Sequence, residues 1–379
     1  MEPHLEIGQT ETPAVLVDRE RLLRNIEWAQ QLVARHGLVL RPHVKTHKCV
    51  EIAQLQLAHG AVGVTASKVD EALVFIEANV PSITVAYPLV ETRKLERLLR
   101  AAARRGTDVR VVVDSALGVE LLRETAGRCG GAAGVFVEID VGLHRCGLRE
   151  NDPQLLPLVR SIFDRRGLRF AGLLSHAGHA YGASNAEEVA QIAAAECAIM
   201  QRVRLRIEQA GIDVPEVSVG STPTVLASES YEGITEIRPG NYVFMDRTPV
   251  RLGLVGLERI ALTVLATVVS RNESYLIIDA GSKVLSSDRG AHGTDAVAGC
   301  GLAFPIGPED DLADGLNVVK LSEEHGFVEH GGHDLRIGTK LRLVPNHACP
   351  VVNLADELVI VSGDREVARW RVAARGKVR

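Results

Sequence analysis

The sequence predicts an α/β protein, a (β/α)8 barrel of the TIM type followed by a smaller, mainly β C-terminal domain. Between residues 38 and 246, eight short apolar runs alternate with segments that carry apolar residues at helical spacing. Strands that alternate with helices indicate parallel βαβ units, and eight such units close a barrel. Beyond residue 255, β-branched runs broken by Gly, Asp, Asn and Pro replace the long helical patterns.

The individual barrel elements follow from the same patterns. The strands are predicted at 38–45, 62–66, 82–88, 109–114, 134–141, 170–176, 216–221 and 235–246. The intervening helices are predicted at 49–59, 69–78, 91–105, 117–128, 154–166 and 187–210. An open, doubly wound sheet is the alternative, but no Gly-x-Gly-x-x-Gly motif follows the first strand.

The C-terminal region is predicted to be a β domain of its own. Its strands are predicted at 260–269, 275–279, 340–344, 357–361 and 366–372. A further strand at 14–18 precedes the first helix, and we expect it to pair with the C-terminal strands. The predicted organisation is therefore a barrel domain over 19–255 and a β domain made of 256–379 together with 1–18.

Composition and charge favour a two-domain globular protein and give no support for binding to nucleic acid or membranes. A chain of 379 residues exceeds one typical core, which favours two domains. With 46% hydrophobic and 24% charged residues and a net charge of −5, the chain gives no electrostatic case for binding nucleic acid or an anionic membrane. The six cysteines are scattered, and neither a secretory signal nor an apolar run of membrane-spanning length is visible, so we expect a cytoplasmic protein.

The segment Arg-Pro-His-Val-Lys-Thr-His-Lys at 41–48 places Lys45 at the end of the first predicted barrel strand. Functional side chains of such barrels lie at the carboxyl ends of the strands. Positive neighbours lower the pKa of a lysine, which makes its amine a nucleophile toward aldehydes. The usual alternative, a surface lysine, is disfavoured here by the apolar strand and by the basic neighbours Arg41, His43, His47 and Lys48.

A second segment, Gly-Ser-Thr-Pro-Thr at 220–224, offers backbone N–H groups and hydroxyls just before a short helix. This arrangement can cradle a phosphate, although most such loops are simple turns. A nucleophilic lysine, a ring-sized pocket and a phosphate cradle together suggest pyridoxal phosphate. Further candidates at the ends of predicted strands are Tyr87, Arg145 and His176, the last of which could equally be a core histidine.

A third segment, Pro-Asn-His-Ala-Cys-Pro at 345–350, places His347 and Cys349 two residues apart. In an extended strand both side chains would point to one face, where they could hold a divalent metal. One His and one Cys seldom complete a coordination shell, so carboxylates or water would have to complete it. Further candidates, which are more often solvent-facing in such a loop, are His325, His330 and His333 near Glu323 and Glu324.

Taken together, six ordered motifs resemble the D-threonine aldolase/D-serine dehydratase family. They are the segment at 41–48, Val-Glu-Ile-Asp-Val-Gly-Leu-His-Arg-Cys-Gly at 137–147, Val-Ser-Val-Gly-Ser-Thr-Pro-Thr at 217–224, Arg-Pro-Gly-Asn-Tyr-Val-Phe-Met-Asp at 238–246, Glu-Glu-His-Gly at 323–326 and Pro-Asn-His-Ala-Cys at 345–349. The resemblance covers nearly the whole chain. It implies a metal-assisted pyridoxal-phosphate enzyme with the alanine-racemase-like fold, usually a homodimer.

The resemblance also implies a role for particular residues. Lys45 matches the lysine that binds the cofactor, and His347 and Cys349 match the metal ligands. The remaining cofactor positions are Arg145 near a ring oxygen, His176 against the ring, Arg238 at the pyridine nitrogen, and Ser221, Thr222, Gly240 and Asn241 at the phosphate. An arginine beside the ring nitrogen would leave that nitrogen unprotonated and weaken the ring as an electron sink. The metal would then contribute more to the activation of the substrate. A thiolate favours zinc, whereas aldolases of the family often use manganese with a carboxylate; magnesium is a further candidate.

The implied activity is a lyase reaction on D-3-hydroxy amino acids, in one site formed by both domains. The first expectation is a D-threonine aldolase that produces glycine and an aldehyde, with His179 or a metal-linked water as the base. The alternative is a dehydratase of D-serine or 3-hydroxy-D-aspartate that produces a keto acid and ammonia, with Lys45 removing the α-proton. An amino-acid racemase or a non-catalytic cofactor carrier fits less well, because neither requires the metal pair.

Overall fold

The computed structural model of the chain describes residues 5–163, 167–294, 297–306 and 315–379. These residues fall into two compact units. The α/β unit comprises the described parts of Glu27–Lys45, Val50–Gly240 and Lys377–Arg379, and the β unit those of Met1–Ile26, Thr46–Cys49 and Asn241–Gly376. Strand β1 (Ala14–Asp18) and helix α1 (Arg19–His36) come first in the chain.

The α/β unit contains an eight-stranded parallel sheet. Its strands are β2 (Val39–Leu40), β3 (Val64–Ala66), β4 (Ser82–Pro88), β5 (Asp108–Val113), β6 (Ala133–Ile139), β7 (Leu168–Ser175), β8 (Glu216–Val219) and β9 (Glu236–Ile237). Their order is β2-β9-β8-β7-β6-β5-β4-β3. A parallel bridge between His43 and Thr65 joins the two ends of this order, and the Val62 N–H donates to the Leu40 carbonyl at 3.0 Å. The predicted barrel is confirmed, and the open sheet is excluded.

Helices in this unit alternate with the strands. They are α2 (Val50–Ala58), α3 (Val69–Glu77), α4 (Thr92–Arg105), α5 (Ala116–Cys129), α6 (Leu155–Phe163), α7 (Ala186–Gln209) and α8 (Thr222–Ala227). Helix α4 shows why the sequence forms them, since it buries the apolar stripe Leu95, Leu98, Leu99 and Ala102 while its arginines face solvent. It ends at Gly106, whose left-handed φ of 67° is typical of a helix C-cap. Residues 164–166 of the helix predicted at 154–166 lie outside the described ranges.

Two predicted strands are much shorter than expected. Of 38–45, only Val39–Leu40 pairs as a strand, because Pro42 has no N–H to donate and the chain turns after the single bridge at His43. Of 235–246, only Glu236–Ile237 pairs, because Pro239 and Gly240 break the strand before the 3-10 helix Asn241–Val243. The carboxyl ends of these strands are therefore followed by turns that carry the candidate side chains.

The β unit is built on an antiparallel sheet. Its elements after Asn241 are α9 (Arg247–Arg251), β10 (Leu262–Arg271), β11 (Tyr275–Ile278), α10 (Ser282–Leu285), β12 (Gly301–Pro305), β13 (Leu316–Leu321), β14 (Gly326–Glu329), β15 (Lys340–Pro345), α11 (Ala348–Leu354), β16 (Glu357–Ser362) and β17 (Arg365–Arg371). The strand order β11-β14-β13-β12-β15-β10 returns to β11 and so closes a barrel.

Strand β1 extends this sheet on the far side of β10. It pairs antiparallel with β10 and parallel with β16, which in turn pairs with β17. The expected pairing of the early strand with the C-terminal strands is confirmed. The sequence patterns did not predict β12, β13, β14 or helix α11. None of the helices that the structure describes is both long and apolar enough to cross a membrane.

Candidate active site

Lys45 lies at the carboxyl end of the first barrel strand, on the turn that follows His43. The backbone before it is fixed on both sides, because the His43 N–H donates to the Pro239 carbonyl at 3.0 Å and the Val44 N–H donates to the Thr65 carbonyl at 2.8 Å. The Lys45 side chain is half-buried. The strand end thus presents an amine at the mouth of the barrel, the position at which barrel enzymes carry functional groups.

The loop after β8 forms a helix N-terminus, as the sequence predicted. Ser221 caps helix α8, because its Oγ accepts the Thr224 N–H at 3.4 Å while the Ser221 N–H donates to Thr224 Oγ1 at 3.0 Å. Gly220, which precedes the cap, has φ +113°, and a Cβ there would lie 3.0 Å from Val225 Cγ2. The turn therefore requires glycine, and the buried Ser221 and Thr222 stand at the positive end of the helix dipole.

His176 follows β7 and lies beside this loop. Its Nδ1 is 3.4 Å from the Gly220 carbonyl oxygen, and its side chain is half-buried. The structure therefore brings together two of the predicted cofactor positions, the ring-contacting histidine and the phosphate loop, within the α/β unit.

Glu196, on helix α7, interacts with both the turn after β7 and the turn after β8. The sequence analysis did not identify this residue. Its carboxylate accepts the Ser175 hydroxyl at 2.7 Å, and the backbone N–H groups of Ala177 and Gly220 favour its ionised form. Burial raises the pKa of Glu196, and these hydrogen bonds act against that rise. No motif marks this residue, which sits among alanines in the middle of a helix pattern.

Arg238 is buried inside the barrel at the end of β9. Its Nη1 donates to Ser218 Oγ and its Nη2 donates to the Ser175 carbonyl. Burial lowers the pKa of Arg238, while Glu236, Glu196 and Glu138 raise it. The Ser218 hydroxyl in turn donates to Glu236, so the guanidinium is fixed by a chain of hydrogen bonds that runs into the barrel interior.

Arg145 lies on the exposed turn after β6, next to a buried carboxylate. Burial raises the pKa of Glu138, on β6, to about 7, although Arg145 and Arg238 favour its ionised form. Asp114 and Asp140 add to the rise. Glu138 was not singled out from the sequence, where it reads as one polar residue in an apolar strand.

His179 lies on the 3-10 helix Gly178–Gly182 and packs against Gly142, at which a Cβ would come 3.1 Å from the imidazole Cε1. Burial lowers the pKa of His179, with His144 acting in the same direction and Asp140 against it. Its Nδ1 is buried and makes no hydrogen bond to the described residues. A neutral imidazole at this position could accept a proton.

In the β unit, His347 and Cys349 meet at the start of helix α11 and not along a strand. Strand β15 ends at Pro345, His347 is the N-cap of α11, and Cys349 lies in its first turn, so the predicted strand geometry is wrong at this point. The two side chains nevertheless contact each other. Burial lowers the pKa of His347, but Cys349, Asp246 and Asp288 together raise it to about 9.

Neighbouring side chains surround this pair. Asp288 Oδ2 is 3.0 Å from His347 Nδ1, and the Cys349 thiol is 3.3 Å from the hydroxyl of Thr46, the residue that follows Lys45 in the chain. The imidazole and thiol are donors that suit zinc and related divalent metals. Within the described ranges, no group of three or more His, Cys, Asp or Glu side chains forms a complete metal site. A metal held by this pair would therefore need further ligands.

The buried Asp246 connects this pair with a predicted phosphate residue. Its Oδ2 accepts the Ala348 N–H at 3.0 Å and the Asn241 side-chain N–H at 2.8 Å, so it fixes the start of α11. Asn241 Oδ1 is buried and has no hydrogen-bond partner among the described residues. Asn241 follows Gly240 on the turn that replaces the end of the predicted last strand. This oxygen needs a donor, such as water, because a phosphate dianion offers only acceptors.

The other histidine candidates lie elsewhere in the β unit. His330 Nε2 contacts the Glu273 carbonyl oxygen at 2.9 Å, and Glu323 and Glu324 pair with Lys283. Glu323 and Glu324 are exposed to solvent, and His330 is half-buried. The donor set that fits a metal is thus His347 with Cys349, and the amine, phosphate loop and buried arginine fit pyridoxal phosphate.

Comparison with known proteins places the chain in a family. The model of the alanine racemase N-terminal domain matches residues 17–248, and that of the putative serine dehydratase domain matches residues 261–361. The D-threo-3-hydroxyaspartate dehydratase of Delftia sp. (strain HT23) is 35% identical over 371 residues, which are 95% of this chain and 96% of that protein. The D-threonine aldolase of Arthrobacter sp. is 32% identical, over 99% of this chain and 95% of that protein.

Solved structures agree with these matches. The Delftia dehydratase superimposes with a TM-score of 0.89 at 34% identity, over 97% of this chain and 98% of that one. The D-threonine aldolase from Filomicrobium marinum gives a TM-score of 0.89 at 29% identity over 100% of both chains. Two solved variants of a D-threo-3-hydroxyaspartate dehydratase replace a histidine and, two positions further on, a cysteine by alanine, and the structure of the cysteine variant is in a metal-free form.

The fold and the matches define an alanine-racemase-like protein, a barrel that precedes a β domain. The chain belongs to the D-threonine aldolase/D-serine dehydratase family of pyridoxal-phosphate-dependent lyases. The resemblance that the six motifs predicted is therefore confirmed, as are the fold class and the class of enzyme.

Proposed function

We propose that the protein is a dehydratase of D-3-hydroxy amino acids that uses pyridoxal phosphate and a divalent metal. The observation that supports this proposal most is the contact of His347 with Cys349 at the start of α11. A histidine and a cysteine at the same His-x-Cys spacing are replaced in the two variants of a D-threo-3-hydroxyaspartate dehydratase, and the cysteine variant was solved in a metal-free form. The substrate would be an amino acid such as 3-hydroxy-D-aspartate or D-serine. It would lose water to give an enamine, whose imine tautomer takes up water and releases ammonia to leave a keto acid.

Each of the chain's own residues would have a distinct part. Lys45 would bind the cofactor and hold the proton removed from the α-carbon. His347 and Cys349 would hold the metal. When bound, the cofactor supplies a sink for the electrons of the broken C–H bond, and the metal supplies a Lewis acid for the β-hydroxyl.

Other residues would hold the phosphate and the ring of the cofactor in place. Ser221, Thr222, Gly240 and Asn241 would hold the phosphate, His176 would lie against the ring, and Arg145 would face a ring oxygen. Arg238, fixed by Ser218 and the Ser175 carbonyl, would place a cation beside the ring nitrogen. A cation there keeps that nitrogen unprotonated, which supports a metal-assisted departure of the β-hydroxyl.

The identity of the metal and the quaternary state belong to the proposal. A thiolate in the donor set favours zinc over manganese or magnesium, since softer ligands select zinc. A homodimer acting on a free amino acid remains the expectation from the family resemblance, and the scattered cysteines favour a reducing, cytoplasmic location.

Aldol cleavage of D-threonine is the second candidate, because the aldolase of Arthrobacter sp. is 32% identical over 99% of the chain. In that reaction a base must take the proton of the β-hydroxyl while the bond between the α- and β-carbons breaks. His179 would fill this role, since burial lowers the pKa of its imidazole and so favours the neutral form, which can accept a proton.

A product assay separates the two candidates. Protein loaded with pyridoxal phosphate and zinc is incubated separately with 3-hydroxy-D-aspartate, D-serine and D-threonine, and the products are resolved by chromatography. The dehydratase proposal expects keto acid and ammonia in equal amounts, without glycine. Glycine with an aldehyde as the main product would overturn it in favour of the aldolase.

A variant pair tests the metal ligands. Cys349→Ala is expected to lower bound zinc and turnover at least tenfold, because one of two protein ligands is lost. Cys129→Ala, at the end of helix α5, serves as the control and should leave both unchanged. If Cys349→Ala kept its full zinc content, the Cys349 thiol would not be a metal ligand.

A further inference from the structure

Glu196 is a carboxylate in the middle of helix α7, and only 2% of it is exposed. Carboxylates are rarely buried unless their oxygens are satisfied. Glu196 meets this condition through three donor groups: the Ser175 hydroxyl donates at 2.7 Å, and the backbone N–H groups of Ala177 and Gly220 favour its ionised form. Two of these donors belong to the backbone, so the carboxylate determines the path of the chain itself.

The three donors belong to two strand ends. Ser175 is the last residue of β7 and Ala177 lies just beyond it, so the carboxylate spans His176. Gly220 follows β8 and directly precedes Ser221, the cap of α8. One side chain on an outer helix thus fixes both turns at the carboxyl edge of adjacent parallel strands.

The contact between these turns depends on their relative position. His176 Nδ1 lies 3.4 Å from the Gly220 carbonyl oxygen, the limit of a hydrogen bond. The N–H of Gly220 favours the ionised form of Glu196 while its carbonyl lies near His176, so this one residue interacts with both side chains. A shift of either turn would move the N-terminus of α8 relative to the imidazole.

We propose that Glu196 is a positioning residue, which holds the phosphate-binding loop at 220–222 in register with His176. This role rests on the proposed function, because it concerns where the cofactor's phosphate is received. A carboxylate suits the task since it accepts several N–H and O–H donors and offers none of its own. Glutamine would keep one acceptor oxygen and would turn an N–H₂ group toward N–H donors.

Comparison of pyridoxal phosphate with pyridoxal tests this role. Pyridoxal carries the same aldehyde and ring without the phosphate, so only pyridoxal phosphate reports on the loop. Apoprotein of the wild type and of Glu196→Gln is titrated with each compound, and the dissociation constants are read from cofactor absorbance. We expect Glu196→Gln to weaken pyridoxal phosphate about tenfold, a typical effect of losing charge-assisted hydrogen bonds, and to leave pyridoxal within twofold.

Glu71→Gln is the matched control. Glu71 is also buried in the α/β unit, and it accepts the Ser67 N–H at 2.8 Å after strand β3. Loss of this carboxylate should leave the ratio of the two dissociation constants at the wild-type value. A merely structural role of Glu196 would weaken both compounds alike, which would overturn the proposal, as would unchanged binding of pyridoxal phosphate by a folded Glu196→Gln.

Ser175→Ala provides a second, milder variant in case Glu196→Gln does not fold. It removes one of the three donors and should weaken pyridoxal phosphate about threefold without affecting pyridoxal. A wild-type ratio in Ser175→Ala would count against the proposal. A wild-type protein that binds neither compound would overturn the proposed function together with this role, whereas normal wild-type binding and unaltered variants would overturn the role alone.

Discussion

Glu138 is a buried acid whose ionisation is opposed by its surroundings. Only 6% of the residue is exposed, and burial raises its pKa from 4.5 to about 7 despite the attraction of Arg145 and Arg238. Between those pH values the folded protein keeps a proton that the unfolded chain has already lost. Stability contributed by this group is therefore complete below pH 4.5 and falls as the pH rises to about 7.

Substitution of Glu138 by glutamine should remove this pH dependence. A shift of this size corresponds to about 3 kcal/mol, so Glu138→Gln should gain up to that much in the free energy of unfolding, relative to wild type, between about pH 4.5 and pH 8. Urea unfolding of cofactor-free protein at the two pH values measures the difference. An identical difference at both values would show that Glu138 ionises normally in the folded state.

Residues with a local signature could be identified from the sequence, and residues with only a spatial role could not. Lys45 ends an apolar run among basic neighbours, and Ser221 has a helix-capping pattern around it, so both were predicted where the structure has them. Glu196 and Asp246 act on backbone groups that the fold brings to them, Gly220 and Ala348 respectively. Nothing adjacent in the sequence marks such partners.

Strand β7 contains a position that only glycine fits. Gly172 has φ +138°, and a Cβ there would lie 1.9 Å from the Glu216 carbonyl oxygen of β8. It is paired with Phe136 next to a register shift between β6 and β7. Both the backbone conformation and the close approach of β8 therefore exclude a side chain.

Gly172→Ala should destabilise the protein by about 3 kcal/mol, because strain and overpacking add at this position. Urea unfolding provides the measurement. Gly127→Ala is the control, since Gly127 lies in helix α5 with nothing within 4 Å of an added Cβ, and it should stabilise the protein by about 0.5–1 kcal/mol. Equal effects of the two substitutions would contradict this account of β7.

Elements differ in how far their own sequence determines them. Strand β4 was predicted at 82–88 and spans those residues, because a buried β-branched run bounded by turn residues is a strong local signal. Helix α11 contains Pro350 and the β-branched pair Val351 and Val352, so propensity gave no indication of a helix. It forms because Pro is tolerated in a first turn and because the buried Asp246 accepts the Ala348 N–H.

At the scale of the α/β unit, a buried ion pair joins the neighbouring strands β2 and β9, next to the barrel closure. Arg41, just after β2, donates from Nε to Glu236 Oε2 of β9 at 2.7 Å, and neither side chain is more than 2% exposed. Arg41 also donates to Ser82 Oγ of β4 at 2.8 Å. The guanidinium therefore ties the first strand to strands on both sides of it.

Arg41→Met should cost about 3–5 kcal/mol, because it leaves the Glu236 carboxylate buried without its main partner. The double variant Arg41→Met with Glu236→Gln removes that charge and should recover part of the loss, as measured by urea unfolding. If the double variant were no more stable than Arg41→Met, the uncompensated charge would not be the cause.

The position of β1 in the β unit has a consequence for how the chain folds. β1 lies between β10 and β16, and Leu16 pairs with Val359. During synthesis, β1 leaves the ribosome long before either neighbour exists, so it must wait with unpaired edges while the barrel strands emerge. Contacts between residues so distant in sequence slow folding. The β unit is therefore completed late, after synthesis has passed β16, and until then β1 is an exposed strand that a chaperone or another chain could capture.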